Sequence, residues 1–82
     1  MKNADTKIAI SDLGLASLLV TLNFNLVDME RVNEKRINFL FAPAEGIEQV
    51  ISDFWAGIKI SVSTQSLFNN QKMLKNRLYA FK

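Results

Sequence analysis

Apolar residues crowd the segment from Leu13 to Leu22 so densely that, at 100° per residue, they cover most of a helix. Leu13, Leu15, Ala16, Leu18, Leu19, Val20 and Leu22 leave only Gly14, Ser17 and Thr21 as a narrow stripe of small or weakly polar side chains. Ser11 stands where an N-cap belongs, Asp12 suits the positive end of the helix dipole, and the helix is expected to run through about Asn23. A helix apolar nearly all round needs cover on more than one side. It is either the central helix of the fold or a contributor to a dimer interface, with Leu15, Leu18 and Leu22 as its interface candidates. The small-residue stripe lets another helix approach closely, within the fold or across a dimer axis.

Around this helix the period changes. Residues 7–10 (KIAI) read as a short edge strand, and residues 24–31 and 36–41 as the two strands of a hairpin. In the second of these, Ile37, Phe39 and Phe41 share one face, and Asn38 and Leu40 the other. The tip Val32-Asn33-Glu34-Lys35 is polar but lacks an Asn-Gly signature. Pro43 is placed in the first turn of a second helix, about residues 44–56, whose apolar face carries Ile47, Val50, Ile51, Phe54 and Ile58, with Trp55 at its edge. Gly57 is the expected stop. Lys59-Ile60-Ser61-Val62 alternates as a last short strand would, and Ser63 or Thr64 caps a third helix reaching Tyr79. Leu67, Leu74, Leu78 and Phe81 form its core face.

The pattern predicts one α+β domain over residues 1–82: a small antiparallel sheet, the hairpin of residues 24–41 extended by strands at 7–10 and 59–62, covered by three helices. With both added strands the order matches a split β-α-β topology; without them it is a hairpin under three helices.

Composition changes the picture mainly by subtraction. The 82 residues are 49% hydrophobic and 22% charged, ordinary for a folded domain, with a formal charge of +2. There is no cysteine and no histidine, which removes thiol chemistry, disulfides, zinc fingers and histidine-based acid–base catalysis. The apolar run after Lys2 and Lys7 is shorter than the roughly 20 residues a crossing helix needs. Asp5 and Asp12 ahead of it, with no small-x-small cleavage site behind, favour an internal core helix over a signal peptide. No membrane contact is expected, and the setting is read as cytoplasmic.

Catalysis finds little to use. Asp28 and Glu30 project from one strand face, either as an acid–base pair or as the solvent side of an exposed hairpin. No phosphate-cradling glycine loop and no nucleophile elbow is present, so no catalytic residue, cofactor site or metal site is assigned, although separated carboxylates can converge on Mg²⁺. The third helix offers more. Phe68, Lys72, Lys75, Tyr79 and Lys82 follow at spacings of 4, 3, 4 and 3, so lysines able to meet phosphates alternate with aromatics able to stack on bases. The bland reading of that stripe is a solvated face with snorkelling lysines. The strand Arg36–Phe41 loosely suggests the aromatic strand of RNA-recognition modules, but Ile37 and Asn38 break the motif and Phe39 and Phe41 fit a core.

In order along the chain, Asp12, Leu13, Leu15, Ala16 and Leu18, then Phe24 and Leu26, then Arg36, Phe39 and Phe41, and finally Leu74 and Lys75 resemble a family of small prokaryotic and phage-encoded domains of unknown function. The resemblance spans about residues 8–80 and implies a stand-alone domain in a bacterial or phage cytoplasm. It carries no activity and no functional residues. The functional expectation is therefore a non-enzymatic interaction module, self-associating as a homodimer and binding a protein partner, with Trp55, Phe68, Leu15, Leu18 and Leu22 as interface candidates. The alternative is a nucleic-acid-binding accessory protein using Lys72, Lys75, Tyr79 and Lys82.

Overall fold

A computed structural model of the chain describes residues 6–81. Its elements are β1 (Ile8–Ile10), α1 (Leu13–Thr21), β2 (Leu26–Arg31), β3 (Ile37–Phe41), α2 (Ile47–Ala56) and α3 (Thr64–Ala80). The sheet is three-stranded with order β1-β3-β2, and both pairings are antiparallel. β1 and β2 therefore run in the same direction on either side of β3, and β1-α1-β2 is a split crossover. This is the α+β class that the hydrophobic pattern predicts, with β1 in the sheet and residues 59–62 outside it.

One sheet face is apolar. Ile8 pairs with Phe41 and Ile10 with Phe39, and Met29 sits opposite Phe39 on the other side. These side chains meet Leu15, Leu19, Ile47 and Leu74 from the helices in one core. The other face stays uncovered, with Ala9, Asp28 and Glu30 exposed on it. In β2 the apolar residues Leu26 and Met29 are three apart, a spacing that strict alternation would split between faces. A register shift between Leu26 and Asp28 resolves the conflict: Val27 is the extra, exposed residue of a bulge. Beyond it Met29 turns inward, and Asp28 and Glu30 outward.

Local chemistry accounts for most element ends. Asp12 rather than Ser11 caps α1: its carboxylate accepts the Leu15 N–H at 2.8 Å, while Ser11 is exposed one position too early to reach that amide. The helix stops at Thr21, before the expected Asn23, because Asn23 takes a left-handed φ of 74°. Phe24 N–H then reaches the Leu19 carbonyl and Asn23 N–H that of Val20, a Schellman closure with asparagine in the position glycine usually holds. The hairpin tip lacks Asn-Gly, yet Asn33 supplies the turn: its Oδ1 accepts the N–H groups of both Lys35 and Arg36, at 2.8 and 2.9 Å.

Two expectations are corrected here. α2 begins at Ile47, not at residue 44, because Gly46 adopts φ 90° and a left-handed residue cannot lie inside a right-handed helix. Pro43 thus lies upstream of the helix, in the connection from β3. Residues 59–62 form no strand. Their alternation is real, since Ile60 and Val62 pack on the core while Lys59 and Ser61 face water. Alternation reports two environments, and this stretch lies against the helix layer, where no strand offers it hydrogen bonds.

α1 is the central helix. Leu15 and Leu18 are buried in the chain's own core, which corrects their reading as interface residues, and Leu22 packs half-buried beside it. The small-residue stripe serves internal packing. Ser17 is fully buried with its hydroxyl donating to the Leu13 carbonyl, and Thr21 donates likewise to Ser17. Asn70 of α3 donates its side-chain N–H to Thr21 Oγ1 at 2.9 Å, fixing how α3 lies on α1.

Candidate functional site

α3 is built by a cap and a narrow apolar face. Ser63 accepts the Ser66 N–H at its start, and Leu67, Leu74 and Leu78 turn toward the core. Arg31 of β2 holds the far end: its guanidinium donates to the Phe81 carbonyl at 3.4 Å and lies 5.9 Å from the Phe81 ring centre. With its inner side occupied, the helix presents the opposite flank to water.

That flank carries the predicted stripe. Phe68, Lys72, Lys75 and Tyr79 fall within about 60° of arc on α3 and are all exposed, Phe68 at 61% and Tyr79 at 71%. With Gln71 and Asn76 they line one shallow groove of about 400 Å³. Lys82 lies outside the described residues. The charge setting is one-sided: all eight acidic residues fall in residues 1–53, and residues 54–82 hold five lysines and arginines and no acid. This charge asymmetry was available in the sequence as a simple count by segment.

The remaining interface candidates do not form one patch. Trp55 is 64% exposed and leans edge-on against Phe54, ring centres 5.0 Å apart, beside a cleft of about 590 Å³ that reaches Asp12, Lys35 and Arg36. Phe68 borders the α3 groove instead. A third cleft, about 440 Å³, is floored by Gly14, Ser17 and Leu18 and walled by Phe54, Ile58 and Leu67. Ile58 stands 57% exposed at its side, a residue the helical pattern of α2 had hidden among core positions.

The other chemical readings meet the geometry as follows. Asp28 and Glu30 do share a face, the open side of the sheet, where Asp28 accepts the Met29 N–H and Glu30 the Asn38 side-chain N–H. Phe39 and Phe41 are buried beneath the helices, so β3 has no aromatic platform for RNA. Among the described residues no three acidic side chains converge to hold a metal ion. No helix among them is long and apolar enough to cross a membrane.

No curated protein and no solved structure matches the chain. A family profile does match, over residues 5–80, which takes in every strand and helix from β1 to α3. On that extent, the chain belongs to the family described as Domain of unknown function (DUF5659).

Proposed function

We propose that this domain is a non-catalytic nucleic-acid-binding accessory module whose contact surface is the outer flank of α3. The observation that carries the proposal is the placement of exposed Phe68 and Tyr79 with exposed Lys72 and Lys75 on one helix face that has no acidic residue. Lysines on such a face release counterions from phosphates, and aromatic rings beside them add stacking that tolerates any base. A formal charge of only +2 keeps the long-range pull weak, so binding depends on this local array.

The test is a mobility shift with labelled single- and double-stranded DNA and RNA across a salt titration. Two or three neutralised phosphates give a log–log salt slope between about −1.4 and −2.7. Lys72→Glu combined with Lys75→Glu should abolish the shift at low salt. Absence of a shift with every probe at low salt would refute the proposal.

A second reading, a self-associating module that binds a protein partner, is favoured by one separate observation: Trp55 and Ile58 stand exposed near the end of α2, away from the α3 groove. Large apolar side chains of this kind commonly anchor interfaces. Sedimentation over rising protein concentration, read together with acrylamide quenching of Trp55, tests it. A monomer at all concentrations with Trp55 fully quenched would remove self-association.

A further inference from the structure

We infer that the α3 surface takes single-stranded nucleic acid in preference to duplex, with Phe68 and Tyr79 as two separate stacking platforms for bases; this rests on the nucleic-acid reading proposed above. The two rings are eleven residues apart in sequence, three turns of the helix, and point within about 20° of each other. At about 1.5 Å per residue they stand about 16 Å apart along the axis. That equals about five steps of a strand at its stacked spacing of about 3.4 Å, and fewer steps once the bases are splayed. The bases held by the two rings are therefore not neighbours, and the strand between them passes Lys72 and Lys75.

Charge and exposure both favour the single strand. Proteins that hold duplex by its backbone use about six to ten phosphate contacts, and this face offers two lysines among its described residues. So small a charge array leaves stacking to supply much of the affinity. A duplex offers few base faces, because its bases already stack on one another and must be unstacked at a cost before a side chain can reach them. Phe68 has no polar atom to offer a phosphate or a base edge, and its exposed ring would gain little beside a closed duplex. On a single strand the same ring meets a base face without that cost. The amides of Gln71 and Asn76 lie in the groove between the rings, within reach of sugar or base edges of any sequence.

The experiment uses the full chain and one mixed-sequence, fluorescein-labelled 12-nucleotide DNA, alone and annealed to its complement, read by anisotropy at low salt. The single strand should bind at least about tenfold more tightly than the duplex. Phe68→Ala and Tyr79→Ala should each weaken single-strand binding by about tenfold or more, since one stacked base contributes roughly that factor. Tyr79→Phe should retain affinity within about twofold, because the ring and not the hydroxyl acts, and circular dichroism should show all three variants folded. Equal or tighter duplex binding, or ring variants that bind the single strand as well as the parent, overturns the stacking inference while the lysine-dependent reading stands. Failure to bind either probe overturns both.

Discussion

The hydrogen bond from Asn70 to Thr21 is the contact most diagnostic of how α3 seats on α1, and it yields a quantitative test. Asn70→Ala removes a half-buried donor that meets Thr21 Oγ1 at 2.9 Å. Thr21 keeps its own donation to the Ser17 carbonyl at 2.7 Å, so the hydroxyl is not left without a partner. The loss is then one neutral hydrogen bond, about 1 kcal/mol. Thr21→Val costs more, about 1–2 kcal/mol, because it strands the Asn70 amide in a partly buried site. In the double variant no stranded group remains, and a mutant cycle should return a coupling of about 1 kcal/mol. The neighbouring Asn69 is exposed, so Asn69→Ala should stay within about 0.5 kcal/mol. Urea unfolding followed by far-ultraviolet circular dichroism suits the assay, since exposed Trp55 reports poorly on the core. For a chain of this size 1 kcal/mol moves Tm by about 4–8 °C, well within detection. Additive single effects, or Asn69→Ala and Asn70→Ala indistinguishable from each other, would refute this docking of α3 through the small-residue stripe.

Two further predictions concern the ends of α1. Asp12→Ala should cost about 1 kcal/mol in urea unfolding, while Ser11→Ala stays within about 0.5 kcal/mol, which separates the observed cap from the neighbouring serine. At Asn23, whose φ is 74°, Asn23→Ala should destabilise by about 1 kcal/mol, and Asn23→Gly should be neutral or stabilising; equal melting temperatures for the two would argue against the left-handed closure.

The packing also explains why the candidate surface ends up on α3. α1 is enclosed by the sheet on one side and by α3 on the other, so its leucines are consumed internally. α3 touches the core through a narrow stripe, and most of its circumference remains free. A helix in that position can vary its outer residues with little effect on stability, because a surface substitution away from caps and pairs usually changes it by under about 0.5 kcal/mol. Aromatic residues left on such a face are therefore a feature of the surface and not a by-product of the core.

Much of this protein follows from residues within a few positions of one another. The apolar period of α1, the Ser63 cap of α3, the stop at Gly57 and the alternation of β3 each depend on local spacing, and each lies close to where that spacing puts it. The stripe on α3 is equally local, since helical geometry alone brings Phe68, Lys72, Lys75 and Tyr79 to one side. Everything that needs a distant partner was decided only by tertiary structure. Whether KIAI or KISV joins the sheet depends on which one meets an unpaired strand edge; β3 accepts the first, while the second rests against helices. The bulge at Val27 exists because Leu26 and Met29 must both face a core that β2 alone does not define. The same holds for exposure: Leu18 and Trp55 are both large apolar residues on helices, but α1 has cover on two sides and the end of α2 does not. Local sequence sets which face of an element is apolar, and only the packed fold determines whether anything covers it.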